Sequence, residues 1–250
     1  MIAFDLVEMD LLATHAGVRW PFPLRVPSFG KLADERATLL AEAGHGLQAR
    51  GLAASHGPTG MAAELVTALH EHTAVVDLVV PGTGAVAMVY GDGALVCTQT
   101  ESTVRVTHVE AETLGDELVA LIPESRPAQL MPITLPPGAG LDLEVTGQGQ
   151  AGVIRGGQRQ EVSWLDSAGG RVRVDAGDDG WVSVNPLRHH DLVRLIGELA
   201  AVARAWKRGR SGSSTVAGGL PGTPGARRVQ RAVGEREPGR GRGQGDLATR

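Results

Sequence analysis

The sequence predicts an α+β fold in which pseudo-twofold duplicated units share a central antiparallel sheet flanked by helices, followed by a disordered C-terminal tail. Three observations carry this prediction. The hydrophobic period changes from that of a helix to that of a strand after Thr73. Short Gly- and Asp-containing turns then separate the strands, which is typical of an antiparallel meander. The second half repeats this order of strands followed by a helix.

The first third of the chain is expected to be mainly helical. A short strand at about 2–6 leads into a helix at 8–16, which Gly17 ends. Two further helices are predicted at about 31–52 and 61–73. The apolar face of the longer helix consists of Leu32, Leu39, Leu40, Ala43, Leu47 and Gly51.

Residues 20–30, WPFPLRVPSFG, stand apart from these helices. Three prolines exclude a helix interior and favour an extended backbone. Apolar side chains alternate with other types at Trp20, Phe22, Leu24 and Val26. We interpret the segment as an edge strand packed on the helix layer; an exposed aromatic docking strip is the alternative.

Four strands are predicted after Thr73, with a hairpin turn at YGDG. Their approximate ranges are 74–80, 85–90, 94–100 and 102–107. A helix at 111–122 follows, and residues 123–140 form a proline-rich connection. Four more strands are predicted at about 151–155, 160–166, 170–175 and 180–184, and then a last helix at 187–206.

The two halves, about 1–123 and 141–206, are similar to each other. Residues 104–121 and 182–199 each contain a strand, a short bridge and a helix, at a constant offset of 78. Val104 aligns with Val182 and Leu114 with Leu192. This repeat predicts one domain of residues 1–206 that has a pseudo-twofold arrangement.

Charge divides the chain into an acidic body and a basic tail. Residues 207–250 contain ten basic and three acidic residues, whereas the preceding 206 residues carry a net charge of −11. The tail is rich in glycine and contains no aromatic residue, so we expect it to be disordered. No signal peptide or membrane-spanning run is recognised, which favours a soluble cytoplasmic protein.

No motif for catalysis or for a cofactor stands out. One cysteine, Cys97, excludes a disulfide framework, and 3% aromatic residues argue against a stacking platform for nucleic acid on the folded domain. The run VVPGTGAVA (79–87) resembles a dinucleotide-binding turn, but a strand rather than a helix should follow it. His70 and His72 are too close in sequence to share a helix face, and the Asp178–Asp179 pair lacks the ligand spacing of a calcium loop.

Several motifs, in their order along the chain, carry a family resemblance. They are PFPLRVPSFG, ADER, LQARGL and AAELVTALH, followed by VSWLDSAGGRVRV, GWVSVNPL and DLVRLIGELAAV. Over residues 1–206 the sequence resembles the EspG family of ESX (type VII) secretion-associated proteins of actinobacteria. The resemblance implies an α+β fold with quasi-twofold symmetry. It also implies a cytosolic, non-enzymatic chaperone that binds helical PE–PPE heterodimers and delivers them to the secretion machinery.

The resemblance transfers no contact residue, so candidates come from the hairpins and their flanks. Trp164, Asp166 and Trp181 are the candidate protein-binding residues, although a position in the core is the favoured interpretation of both tryptophans. We expect no catalytic residue, cofactor or metal, and the oligomeric state stays open.

Two other functions remain as alternatives. A small-ligand-binding protein or enzyme could place a site between the halves, with Asp166, Asp178, His189 and His190 as candidates. A structural adaptor could instead bind nucleic acid or an acidic surface through its basic tail.

Overall fold

The computed structural model describes residues 1–140 and 143–205. Within them the helices are α1 (Leu6–Ala16), α2 (Ala33–Ala49), α3 (Gly60–Glu71), α4 (Leu114–Val119) and α5 (His189–Arg204). The strands of the first half are β1 (Ile2–Asp5), β2 (Ala53–Ala54), β3 (Gly57–Pro58), β4 (Ala74–Val80), β5 (Thr83–Tyr90), β6 (Gly93–Thr100) and β7 (Thr103–Glu110). Those of the second half are β8 (Ile133–Leu135), β9 (Val145–Arg155), β10 (Gln158–Ser167), β11 (Gly170–Ala176) and β12 (Val182–Pro186).

Ten of these strands form one antiparallel sheet in the order β1-β7-β6-β5-β4-β9-β10-β11-β12-β8. Each half of the sheet is a four-stranded meander with an earlier strand added at its outer edge. The two meanders meet where β4 pairs with β9, and Asp77 lies opposite Gly152 near the middle of that pairing. The α+β fold with a large antiparallel sheet flanked by helices is therefore confirmed.

The repeat at an offset of 78 corresponds to equivalent positions in the two halves. Val104 of β7 pairs with Phe4 of the edge strand β1, and Val182 of β12 pairs with Leu135 of the edge strand β8. After these strands, Leu114 of α4 and Leu192 of α5 are both fully buried. The sequence repeat thus marks the strand and helix that recur in each half.

Helices α4 and α5 pack together on one face of the sheet. Leu118 and Ile196 are buried in a core cluster that includes side chains from both halves. A Cβ atom at Gly115 would lie 3.5 Å from the Cα atom of Gly197. The two helices therefore lie in van der Waals contact at these glycines.

The opposite face of the sheet is covered differently in each half. On the first half, α1, α2 and α3 enclose a second core cluster. Glu8 and Asp5 form a capping box at the start of α1, and Arg50 at the end of α2 donates to Glu8 Oε1 at 3.0 Å. On the second half, the proline-rich connection contributes Ala128 and Leu130 to a smaller cluster instead of a helix layer.

The structure corrects the interpretation of residues 20–30. They do not form an edge strand, since no part of this segment pairs with the sheet. The backbone N–H and C=O groups of Arg25 form their hydrogen bonds with the side chain of Gln99 instead of with a strand. The prolines have no backbone N–H group to donate to a neighbouring strand. Leu32 was also wrongly placed on the buried face of α2: it precedes the helix and is 72% exposed.

Other boundaries also differ from the prediction, and β9 begins at Val145 rather than at 151. The connection at 123–140 contains strand β8, which is short because prolines at 132 and 136 bracket it. Helix α4 begins at Leu114 rather than 111, because residues 111–113 form a turn closed by the Thr113 N–H donating to Glu110 O. The predicted tail at 207–250 lies outside the described residues.

Candidate protein-binding site

Trp164 is a core residue. Its side chain is 1% exposed and lies directly over Gly149, because a Cβ atom at Gly149 would be 2.1 Å from the indole ring. Glycine at position 149 therefore makes room for the largest side chain of this cluster. In this structure Trp164 offers no surface to a partner.

Asp166 binds Arg171, the residue that tethers the proline-rich connection to the sheet. Its carboxylate accepts from Arg171 Nε at 2.7 Å and from Arg171 Nη2 at 3.1 Å. Arg171 is fully buried, and its Nη2 also donates to the carbonyl oxygen of Pro123 at 2.9 Å. The guanidinium carbon lies 5.8 Å from the centre of the Trp164 ring, which favours a cation–π contact.

Trp181 is the predicted contact residue that reaches the surface. It lies in the turn between β11 and β12 and is 44% exposed. Its backbone N–H donates to Asp179 Oδ1 at 3.1 Å, and its carbonyl accepts from the Gly177 N–H at 2.8 Å. The aspartate run DAGDDGW is thus a turn that supports this tryptophan.

The residues considered for chemistry are not gathered into one site. Asp166 is paired with Arg171, whereas His190 contacts its neighbour Asp191 at 3.3 Å. Within residues 1–140 and 143–205, no three potential ligands could hold a metal ion. Complete burial raises the pKa of the Cys97 thiol to about 12, so this thiol is not activated as a nucleophile.

A cleft that was not predicted from the sequence lies at one end of β4, β5 and β6. Its volume is about 340 Å³. The strap, which we define as residues 20–30, forms one wall with Phe22, Pro23 and Arg25. Sheet residues form the remainder: Val79, Val80, Gly82, Thr83, Gly84, Gln99 and Glu101. Phe22 is 40% exposed, so an aromatic ring is presented beside an apolar strand end.

Close packing fixes the strap against the sheet. Pro23 packs directly on Gly84. A Cβ atom at position 84 would lie only 3.2 Å from Pro23 Cγ, so a larger residue there would displace the strap. The Arg25 N–H donates to Gln99 Oε1 at 2.6 Å, and Gln99 Nε2 donates to the Arg25 carbonyl at 3.0 Å. The alternation of proline and apolar residues signalled an extended segment but gave no position on the sheet.

A half-buried ion pair fastens the other end of the strap. Arg36 of α2 donates to both carboxylate oxygens of Asp10 on α1, at 2.6 and 3.1 Å. The same guanidinium donates to the Phe29 carbonyl, and the Phe29 N–H donates to Asp10 Oδ2 at 2.8 Å. Burial opposes ionisation of Asp10, yet these donors hold the pKa of its carboxyl below its ordinary value.

The lining of the cleft is mixed in character. Its walls combine apolar side chains with a few polar groups. Surfaces of this kind accommodate an apolar group of a protein partner. In addition, no helix among the described residues is long and apolar enough to cross a membrane.

One solved structure with a similar fold is that of the Mycobacterium tuberculosis type VII secretion system chaperone EspG5 in complex with the PE25–PPE41 dimer. The TM-score is 0.57 at 10% sequence identity, and the match covers 81% of this chain and 96% of that chain. At this identity the likeness concerns the fold. No curated protein matches the sequence.

The sequence itself matches the model of the EspG family. The match extends over residues 5–198 and so includes the strap, both meanders and most of α5. It covers well over half of the chain and agrees with the motifs PFPLRVPSFG and VSWLDSAGGRVRV. The protein therefore belongs to the EspG family.

Proposed function

We propose that this protein is a non-enzymatic, cytosolic chaperone for helical type VII secretion substrates of the PE–PPE type. It keeps the substrate soluble and delivers it to the secretion machinery. The observation that carries the proposal is the family match over residues 5–198. The similar fold of EspG5, solved with a PE25–PPE41 dimer, supports it.

The cleft beside the strap is the surface that we propose for the substrate. An apolar end of a helical partner would replace water over Phe22 and Val79, and burying apolar area stabilises such a contact. The backbone at Gly82 leaves room for close approach, because no other atom lies within 4 Å of where its Cβ would be. Trp181 is a second proposed contact, because its exposed ring lies at a hairpin turn of the other half.

Co-expression tests this proposal directly. Each PE–PPE-type pair encoded in the same genome is expressed with and without the chaperone, and the soluble fraction is analysed by size-exclusion chromatography. At least one pair should gain solubility and co-elute with the chain. If every pair remains insoluble or elutes alone, the proposed function is wrong.

Matched variants locate the contact on the surface. Phe22→Ser removes an exposed apolar side chain from the cleft, whereas Met131→Ser removes one from the connection of the second half, where Met131 is 80% exposed. We expect Phe22→Ser to abolish co-elution and Met131→Ser to leave it unchanged. Equal retention by both variants would place the substrate elsewhere.

A further inference from the structure

Glu101 occupies a backbone conformation that side chains rarely adopt. It lies in the turn between β6 and β7 and has a φ of 50°. Among the residues that the structure describes, every other positive φ belongs to a glycine. Glycine is the residue that adopts this conformation without steric cost, so a glutamate here lowers stability relative to glycine. Strain of this kind is commonly found where a side chain has a function.

The position of Glu101 suggests what its side chain does. Glu101 lines the cleft, and Gln99, which holds the strap at Arg25, also donates to the Glu101 carbonyl at 3.3 Å. The Glu101 carboxylate is exposed and forms no ion pair within residues 1–140 and 143–205. An exposed negative charge therefore lines the same cleft as Phe22.

The net charge of the whole domain also favours a partner with a basic surface. The first 206 residues carry a net charge of −11, which attracts a basic surface over long distances. Arg25 also lines the cleft and provides its one positive side chain. The sign of the partner's charge at the cleft can therefore be tested by removing either Arg25 or Glu101.

We propose that Glu101 selects a helical client whose apolar end carries a basic residue, with which its carboxylate pairs when Phe22 and Val79 are covered. This inference rests on the proposed function, because the client is the same helical substrate. In a partly desolvated cleft, a charged pair discriminates strongly between partners that carry the right and the wrong sign.

The test measures the affinity of the client heterodimer that co-elutes with the wild-type chain, by titration calorimetry at low and at high salt. Glu101→Gln keeps the size of the side chain and removes its charge, and should weaken binding about tenfold at low salt and less at high salt. Glu101→Gly should weaken binding equally while raising the melting temperature of the free protein. Asp92→Asn, in the turn at the opposite end of β6, removes the same charge and should leave the affinity within twofold.

The possible outcomes separate this inference from the proposed function. If the wild-type chain retains no heterodimer, the proposed function is wrong and the inference falls with it. If the wild type binds and Glu101→Gln binds equally well at both salt concentrations, only the inference is wrong. Weaker binding by Arg25→Gln together with unchanged binding by Glu101→Gln would indicate an acidic group on the client. That result would also overturn the inference.

Discussion

At the scale of single residues, the centre of the sheet contains a charge that the fold must neutralise. Asp77 of β4 is 1% exposed, and Arg159 of β10 reaches it across β9 with bonds of 2.7 and 3.0 Å. The guanidinium passes over Gly152, where a Cβ atom would lie 2.6 Å from Nη2. Burial raises the pKa of Asp77, and the bonds from Arg159 oppose that rise.

Removing Arg159 should destabilise the protein, because the buried carboxylate of Asp77 is then left without a partner. We expect Arg159→Ala to lower the free energy of unfolding by about 3 kcal/mol at pH 7, because Asp77 loses its bidentate partner. Without Arg159 the folded-state pKa of Asp77 rises further above its unfolded value. The folded protein then takes up a proton as the pH falls, so the loss should shrink towards pH 4. Guanidinium denaturation at pH 7 and pH 4.5 measures both effects.

Glu161→Gln is the control for this prediction. Glu161 is the second partner of Arg159, at 2.8 Å, but it is about one-third exposed. Its removal should cost less than about 1 kcal/mol. Equal losses for the two variants, or a loss for Arg159→Ala that does not depend on pH, would contradict this account of Asp77.

A second prediction at this scale concerns Trp164. Gly149→Ala places a methyl group only 2.1 Å from the indole ring, so we expect a loss of about 1–3 kcal/mol in unfolding free energy. Gly169→Ala serves as the control, since its Cβ atom would meet only an ordinary contact at 3.6 Å. An unchanged denaturation midpoint for Gly149→Ala would show that Trp164 is not fixed in the core.

At the scale of elements, the strap depends on the ionised form of Asp10. The pKa of Asp10 is depressed in the folded protein, so the stability that it contributes is present above its ordinary pKa of 3.8 and is lost as the pH falls through the folded-state value. Asp10→Asn should cost about 2 kcal/mol at pH 7. The difference from wild type should diminish below pH 4, as urea denaturation at several pH values can measure. A constant difference down to pH 2 would contradict the role of Asp10.

How far the sequence predicts an element depends on whether local signals determine it. The turn at Gly91 and the alternation in β5 and β6 are local, so both meanders could be predicted from the sequence. Strand β8 escaped prediction because three residues between prolines acquire strand geometry only by pairing with β12. The strap was wrongly assigned because its backbone is bonded by the side chain of Gln99, which is remote in sequence.

The same distinction applies to the candidate site. Trp181 was named as a contact because it lies beside a hairpin turn, although a core position was favoured for it; the structure leaves it 44% exposed. The cleft could not be predicted, since it forms only when the strap packs on Gly84 and on the end of β4. A strained Glu101 leaves a weak signal in the sequence: a charged residue in a two-residue hairpin turn that favours glycine.

At the scale of the whole molecule, residues 1–205 contain the three hydrophobic clusters and the cleft. We propose that they form the domain and that the basic segment 207–250 is separate from it. A chain ended after residue 205 should therefore keep its unfolding free energy within about 0.5 kcal/mol and retain its client. In gel-shift assays, the chain ended after residue 205 should not bind DNA. Any salt-sensitive binding should require the full-length chain. Loss of the client on truncation would contradict this division.

The most direct test of the central claim is hydrogen–deuterium exchange of the full-length chain, alone and bound to a PE–PPE-type heterodimer. The claim is that the client covers the cleft, so slower exchange is predicted in the strap (20–30), in the β4–β5 turn and in the β6–β7 turn around Glu101. Bound client with unchanged exchange in all three segments, and slower exchange only on other surfaces, would contradict it.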